Sequence, residues 1–197
     1  MHRAGALPFG VRHMSATEPT SPSTLSPRAR EVLAAARELL EEEGPDGLSM
    51  RRLGDRLGIS APAFYRHFPD KRALENTLIY EAFWDLGDLL LAAIEDSDDP
   101  ITDLAAAYRA YALEHPHLYD LLYQRPLDRD SIDPAGETHA GEAIRRLSGN
   151  DPISARMIWA YAHGMIDLEL KGRFPHGTDV TAVWRRGIAS LKPALGL

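Results

Sequence analysis

Apolar residues in this chain recur with the spacing of one face of an α-helix, and no segment keeps up the apolar–polar alternation that a half-buried strand requires. Helix-start signals accompany the pattern. Ser26-Pro27 and Asp151-Pro152 each place a capping side chain before a proline at the first helical position. The pattern predicts an all-α fold of about nine helices.

Four helices are predicted in the first half of the chain, each bounded by a cap or a breaker. The acidic run 41–43 is assigned to the solvent face of the first, which stops at Gly44-Pro45. The predicted helices are a first from 27 to about 43, a second capped by Ser49 and ended by Gly58, a third capped by Ser60 that contains Phe64 and Phe68, and a fourth over 71–95.

Five more helices and one long connection are predicted in the second half of the chain. Residues 125–137 have two prolines and no apolar period, so they are predicted to be a mobile loop. Pro193 is predicted to stop the last helix, which Asp179 caps. The five helices are expected at about 101–115, 117–124, 138–147, 152–173 and 180–192.

Composition excludes several classes of functional site. The chain has no cysteine, which excludes disulfides, thiolate nucleophiles and cysteine-ligated metals. It has eight histidines but no HExxH pair, no glycine-rich phosphate loop and no nucleophile elbow. We therefore expect no catalytic residue, no metal and no cofactor. No apolar run approaches the roughly 20 residues of a membrane helix, so no membrane partner is expected.

The first 25 residues are rich in proline, serine, threonine and glycine and are predicted to be a disordered arm. They contain no apolar segment of the kind found in a secretory signal, and the protein is expected in the cytoplasm. Met14 is as acceptable a start of translation as Met1, because no residue before it is predicted to be structured.

Charge is divided unevenly along the chain. The net charge is −7, yet residues 49–72 carry +4 and residues 73–197 carry −9. A small cationic block on an acidic body suggests that one face meets an anion. On charge alone, a solvated charged face is the favoured interpretation, because an excess of +4 is modest.

The second and third predicted helices have the layout of a helix-turn-helix. Gly58 supplies a residue that tolerates the turn's backbone angles, and Leu53, Leu57 and Phe64 are among the apolar residues that lock the pair together. Residues 61–63, 65 and 67 then face away from the core. The alternative is an ordinary helical corner.

The stretch LSMRRLGDRLGISAPAFYRHFPDKRALENTL, residues 48–78, resembles the DNA-binding domain of the TetR/AcrR family of bacterial transcriptional regulators. The segment WAYAHGMIDLELKGRF, residues 159–174, is similar to the C-terminal domain of a subgroup named for a Trp-His-Gly pattern. The resemblance implies a TetR-like architecture. Residues 26–72 would be a three-helix DNA-binding domain, and residues 73–197 an effector-binding and dimerisation bundle.

The resemblance also implies roles for residues at the DNA. Ser49, Tyr65 and Lys71 would contact phosphates, and His67 would lie near a phosphate or a base. The side chains that would approach the major groove are Ala61, Pro62 and Ala63. Arg51 and Arg66 would add electrostatic attraction, unless each is paired with Asp55 or Asp70. Pro62 and Ala63 stand where family members often carry polar side chains, which leaves few hydrogen-bonding groups for the bases.

For the body, the resemblance implies a homodimer formed by the last two helices and a small-molecule effector bound between helices four and eight. His163 would be an effector contact or a hydrogen-bonded core histidine, and the other effector candidates could equally be core residues. The predicted effector residues are Phe83, Leu86, Leu90, Tyr108, Tyr111, Tyr119, Leu122, Trp159 and His163. The predicted dimer residues are Met165, Val180, Val183, Trp184, Gly187, Ile188 and Leu191.

These expectations describe a regulator that binds a palindromic operator in double-stranded DNA, usually as a repressor, and leaves it when an effector binds. Two other functions remain open at this point. One is an all-α enzyme or carrier that uses the C-terminal cavity, and the other is a helical adaptor. Neither the effector nor the operator can be read from the sequence, and repressor versus activator stays open.

Overall fold

The computed structural model describes residues 25–124 and 131–195, and within these ranges it has nine helices and no strand. The all-α prediction is confirmed. The predicted arm lies outside the described residues, apart from Leu25, which packs half-buried against the core. The helices are α1 Pro27–Gly47, α2 Met50–Leu57, α3 Ala61–Tyr65, α4 Lys71–Ile94, α5 Pro100–Glu114, α6 Pro116–Tyr123, α7 Pro134–Leu147, α8 Pro152–Leu170 and α9 Val180–Leu195.

Side-chain caps begin several of these helices, as their sequences indicate. The Ser26 hydroxyl accepts a hydrogen bond from the Ala29 amide at 3.2 Å, and the Asp70 carboxylate accepts one from the Ala73 amide at 2.8 Å. Each bond satisfies an amide that has no partner within its helix. The starts of α1 and α4 are therefore fixed locally.

The predicted connection 125–137 is partly wrong. Helix α7 begins at Pro134, and the Asp133 carboxylate accepts from the Ala135 amide at 2.9 Å. Asp133-Pro134 is the same start signal as Asp151-Pro152, and it outweighs the breaker-rich residues before it. Residues 125–130 lie outside the described part of the chain.

The ends of the last two helices also differ from prediction. Helix α8 ends at Leu170, before a turn in which Gly172 has φ +58°. Helix α9 continues through Pro193 to Leu195. A proline in a final turn removes one backbone hydrogen bond, which does not end the helix there.

The predicted break in α1 is confirmed as a kink. Gly44 has φ +74°, outside the helical region, and a short helical turn follows it. A side chain there would be strained, and the His117 ring lies within 3.6 Å of the position that a Cβ would take. His117 Nδ1 is 2.9 Å from the carbonyl oxygen of Glu41. The kink is therefore where α6 of the body meets α1.

Helix α4 belongs to both halves of the molecule. Leu74 and Leu78 near its start are buried with α1–α3, which we call the head, and Phe83, Leu86 and Leu90 are buried with α5–α9, the body. One continuous cluster of buried side chains runs through both. Head and body are thus joined through packed core.

Candidate functional site

The helix-turn-helix forms as predicted. Gly58 adopts the left-handed conformation, with φ 63° and ψ 34°, and the Ile59 amide donates to the Gly54 carbonyl at 3.0 Å. Leu53 and Phe64 are almost fully buried, which fixes α2 against α3. Phe68 is also buried, but it follows α3, which ends at Tyr65.

The face of α3 turned away from the core is open. Pro62 and Arg66 are exposed, Tyr65 is 49% exposed, and Ala63 and His67 are half-buried. Ala61 lies in α3, but its side chain is outside the described structure. The predicted outward orientation is confirmed for Pro62 and Tyr65, whereas Ala63 and His67, also predicted to face outward, are only half-exposed.

Two serines near the turn behave differently from each other. The Ser49 hydroxyl accepts from the Arg52 amide at 3.3 Å and so caps α2, as predicted. The Ser60 hydroxyl, predicted to cap α3, makes no capping hydrogen bond and is exposed. Sequence reasoning gave Ser60 a purely structural role. The structure leaves its hydroxyl free at the edge of the open face.

Two of the arginines in the cationic block are paired with the acidic end of α1. Arg56 donates two hydrogen bonds of 2.7 Å to the Glu42 carboxylate, which lowers the pKa of Glu42, and it lies 3.5 Å from Glu38. Arg52 is ion-paired with Glu43. The acidic run 41–43 therefore does more than cover a solvent face, and the block has fewer unpaired charges than its composition suggests.

Arg51 and Arg66 remain as exposed cations of the head. Neither forms an ion pair with Asp55 or Asp70 within the described residues. Lys71 is held differently, because its ammonium donates to the Pro45 carbonyl at 3.0 Å and lies 3.4 Å from the Glu75 carboxylate. In this conformation Lys71 ties the start of α4 to the end of α1.

In the body, five aromatic side chains form one group, which we call the aromatic cluster: Tyr108, Tyr119, Tyr123, Trp159 and His163. The Tyr108 and Tyr119 hydroxyls are 3.3 Å apart, and the Tyr119 hydroxyl is 2.6 Å from His163 Nδ1. The Trp159 ring stacks on the His163 ring at 5.3 Å. The cluster joins α5, α6 and α8.

The protonation of the cluster follows from its burial. Burial raises the pKa of the Tyr119 phenol and lowers the pKa of the His163 imidazole below its ordinary value of 6.5. The phenol therefore keeps its proton at neutral pH, and it can donate that proton to Nδ1 when the neutral imidazole carries its own proton on Nε2. Tyr108 in turn can donate to the Tyr119 oxygen, which gives a chain of hydrogen bonds.

The predicted effector residues do not all share one site. Tyr111 lies away from the cluster, since its hydroxyl reaches the Ala82 carbonyl at 3.5 Å and its ring packs on His115. Trp159 is 41% exposed and forms the outer edge of the cluster. The remaining predicted residues, Phe83, Leu86, Leu90 and Leu122, are buried core.

Sequence reasoning missed Tyr123, whose ring packs against the other four members of the cluster and against Phe83. Its spacing of four residues from Tyr119 on α6 was the available signal.

An open groove of about 560 Å³ lies between α4 and α7 and contains none of the predicted effector residues. The His139 ring stacks on the Trp84 ring at 4.1 Å in this groove, and His139 Nε2 is 2.7 Å from the Asp88 carboxylate. Gly87 lets the two helices approach closely, because a Cβ there would overlap the His139 ring.

Most of the predicted dimer residues face the protomer's own core. Met165, Trp184 and Ile188 are buried, and the Trp184 indole donates to Glu169 at 3.1 Å. Val180 and Leu191 pack half-buried against the core, and the Tyr161 phenol fills the space beside Gly187. The apolar stripe of α9 is thus the face that seats this helix on α5 and α8. Of the predicted set, Val183 stands at the surface, 38% exposed.

The outer face of α8 carries several apolar residues that the protomer leaves uncovered. Ile153 is 68% exposed, Met157 44% and Leu168 42%, and a Cβ at Gly164 would meet no atom within 4 Å. The positions 153, 157, 164 and 168 share one side of the helix. Exposed apolar residues that line up in this way are typical of a contact surface.

Within the described residues, the structure holds neither a metal-binding cluster nor a membrane-spanning helix. No group of three or more histidine, aspartate or glutamate side chains is placed to hold a metal ion. None of the helices in the described ranges is both long and apolar enough to cross a bilayer.

Two family models match the chain. The model described as bacterial regulatory proteins, tetR family, matches residues 32–76. The model described as Tetracyclin repressor-like, C-terminal domain, matches residues 101–191. The chain belongs to the TetR family. It is a DNA-binding transcriptional regulator with a helix-turn-helix.

Individual relatives agree with this assignment. An uncharacterised HTH-type transcriptional regulator of Mycobacterium tuberculosis is 27% identical over 151 residues, which cover 72% of this chain and 69% of that protein. The class A tetracycline repressor from transposon 1721 of Escherichia coli is 53% identical over 47 residues, 24% of this chain and 22% of that protein. The second likeness is closer but confined to a short stretch.

Among solved structures, a TetR variant from Acinetobacter baumannii in complex with minocycline superposes with a TM-score of 0.59 at 26% identity. The superposition covers 89% of this chain and 96% of that one. The TetR fold of this regulator therefore extends through both head and body.

Proposed function

We propose that this TetR family regulator is a homodimeric repressor that a small molecule releases from a palindromic operator. The observation that carries the proposal is the open face of α3, where Pro62, Tyr65 and Arg66 are exposed and Arg66 is unpaired within the described residues. Repression rather than activation is the usual mode of the family. The protein would work in the cytoplasm, where a bacterial regulator meets DNA.

At the DNA, α3 would enter the major groove with Ala61, Pro62 and Ala63 nearest the bases. Tyr65 would place its hydroxyl on a phosphate, and His67 would lie close by. Arg51 and Arg66, which are exposed and have no ion-pair partner among the described residues, would supply electrostatic attraction. Ser49 still has its own hydroxyl proton to donate to a phosphate while it caps α2.

For the role proposed for Lys71, its ammonium must either leave the Pro45 carbonyl or bind that carbonyl and a phosphate at the same time. Its ammonium has three protons, and one is directed at the Pro45 carbonyl. A phosphate contact would use another of them. Lys71 would then connect the DNA backbone to both α1 and α4, which lead into the body.

Dimerisation is proposed through the last two helices, with the outer face of α8 as the main contact. Ile153, Met157 and Leu168 supply exposed apolar area, and Val183 adds to it from α9. Gly164 permits a close approach between helices. Such a dimer would hold two copies of α3 roughly 34–36 Å apart, one turn of DNA.

The effector is proposed to bind at the aromatic cluster, entering beside Trp159, its exposed edge. The minocycline complex of the Acinetobacter relative supports a small-molecule site in a body of this fold. Because the cluster is closed on itself, a ligand would have to separate rings that now touch. That separation would shift α6, which contacts α1 of the head through His117.

The likeness of residues 159–174 to the Trp-His-Gly subgroup is also part of this proposal. So is the expectation that the protein has no enzymatic activity.

The test begins with selection of bound duplexes from a random DNA pool. The proposal predicts an enriched palindrome, a two-to-one complex of protein with duplex, and affinity that falls steeply with salt. A small-molecule panel that includes minocycline is then screened for release of the duplex. Failure to enrich any duplex would contradict the DNA-binding account, and a one-to-one complex would contradict the dimer.

A matched pair of variants tests the proposed dimer contact. Leu168→Glu places a charge on the outer face of α8, and Leu113→Glu places the same charge on α5 at an equally exposed position, 42% in both cases. Light scattering should find a monomer for Leu168→Glu and a dimer for Leu113→Glu. A dimer for both variants would show that the dimer contact does not lie on the outer face of α8.

A further inference from the structure

The open face of α3 offers the bases very little that can form hydrogen bonds. Direct readout of base edges usually relies on arginine, lysine, asparagine, glutamine or a carboxylate. Helix α3, Ala61–Tyr65, contains none of these residue types. Its exposed Pro62 and half-buried Ala63 present hydrocarbon, and the next outward side chain is Tyr65.

One base carries a group that matches such a surface. The C5 methyl of thymine is the apolar feature of the major groove, and small apolar side chains pack against it. Pro62 and Ala63 are short enough to let the helix approach closely, and neither has a side-chain polar atom that would lose its water. Burial of a methyl group against them is favourable without any hydrogen bond.

We propose that Pro62 and Ala63 read thymine methyl groups, so that the operator is recognised by where its thymines stand in each half-site. This inference rests on the proposed placement of α3 in the major groove. Pro62 and Ala63 are then the residues that determine specificity, while Arg51 and Arg66 determine affinity for DNA of any sequence.

The competing source of specificity is Arg66. It is exposed and unpaired within the described residues, and an arginine can bind guanine through O6 and N7. It follows the end of α3 and lies beside the two apolar side chains. Thymine reading and guanine reading predict opposite responses to two modified bases.

The experiment uses the duplex selected from the random pool, synthesised again in two forms. In one form deoxyuridine replaces thymidine, which removes the methyl groups and keeps the base pairing. In the other, 7-deazaguanine replaces guanine, which removes the N7 acceptor. Deoxyuridine should weaken binding about fourfold for each buried methyl, and 7-deazaguanine should change affinity less than about twofold. Equal affinity for the deoxyuridine duplex overturns the inference.

A variant ties the effect to the proposed residue. Pro62→Ala removes the ring while keeping a residue that favours helix, so the deoxyuridine penalty should shrink. Pro100→Ala makes the same change in the first turn of α5 and should leave the full penalty. A full penalty in Pro62→Ala also overturns the inference. If the pool yields no enriched duplex, the DNA-binding account fails as well; a selected duplex that is indifferent to deoxyuridine overturns the thymine inference alone.

Discussion

The head and the aromatic cluster of the body are both proposed to bind a ligand, yet they are built in opposite ways. On α3, Pro62, Tyr65 and Arg66 stand exposed, and Tyr65 and Arg66 have no polar partner within the described residues. In the cluster, the Tyr119 hydroxyl is hydrogen-bonded to His163, whose ring stacks on Trp159. The head is a ready-made contact surface, whereas the cluster satisfies its own polar groups.

Under the proposed function, this difference would let one protein couple two ligands. Binding at the head replaces water and leaves the protein's own contacts in place. Binding at the cluster must separate contacts inside the body, so it favours a different packing of α5, α6 and α8. An effector can change the affinity for DNA only to the extent that it binds that second packing better.

The sharpest test of the contrast within the head compares two adjacent residues of α3. Phe64→Ala should lower the free energy of unfolding by about 3–5 kcal/mol, because Phe64 is a buried aromatic anchor. Tyr65→Ala should change it by less than about 0.5 kcal/mol, because Tyr65 is exposed. Urea denaturation measures both. Equal losses of stability would mean that the outward face of α3 is not open.

The body should respond through stability when one of its ion pairs is broken. Arg109 holds the Glu169 carboxylate at 2.6 and 2.9 Å, and Trp184 donates to the same group. Glu169→Gln should therefore lower the free energy of unfolding by about 2 kcal/mol. Glu142→Gln, at an exposed ion pair with Arg145, is the control and should leave the unfolding midpoint unchanged.

The same pair predicts a pH dependence. The hydrogen bonds from Arg109 lower the pKa of Glu169 below its ordinary value of 4.5. Because the unfolded chain takes up this proton first, the pair's contribution is complete above about pH 4.5 and is lost as pH falls through the folded-state pKa. Wild-type protein should lose more stability between pH 5 and pH 3 than Glu169→Gln does. Parallel curves would show that the pair contributes nothing.

Tyr119→Phe tests the hydrogen-bond chain of the cluster with a smaller effect. It removes the hydroxyl that is hydrogen-bonded to His163 Nδ1 while keeping the ring, and it should cost about 1 kcal/mol of unfolding free energy. The affinity of the folded variant for DNA should stay the same, because the substitution does not touch the head. An unchanged melting temperature would show that the bond does not stabilise the body.

The His163 ring should make the stability of the body depend on pH. Its pKa is lowered by burial, so the folded protein binds this proton less readily than the unfolded chain does. Stability from the closed cluster is therefore present above about pH 6.5 and is lost as pH falls through the folded-state pKa of His163. Thermal unfolding of wild type and His163→Gln between pH 7.5 and 5.5 checks this: the slope should be shallower in the variant.

The smallest expected effect is at one surface cation of the head. Arg66→Ala should weaken binding to all duplexes alike and reduce the slope of log affinity against log salt by about 1, with no change in stability. Arg56→Ala is the matched control, since Arg56 is already paired with Glu42 and should leave the slope unchanged. A loss confined to one base position in Arg66→Ala would indicate base reading instead.

Local signals in the sequence predicted most of the helices and the helix-turn-helix of the head. Gly58 and Phe64 could be placed because a turn needs a residue of free backbone and a short helix needs an apolar anchor. The orientation of α9 could not be predicted, because an apolar stripe that includes Trp184 shows that one face is covered but not by which neighbour. Tyr123 was missed for a similar reason, since cluster membership depends on three helices meeting. Local chemistry determined the helices, and long-range packing decided which faces stayed open.

The most direct test of the contrast between head and body is amide hydrogen exchange with and without the selected duplex at low salt. The account predicts slowed exchange in residues 49–67, with the amides around Tyr119 and His163 unchanged. Slowed exchange confined to the body, with residues 60–67 unaffected by DNA, would contradict it.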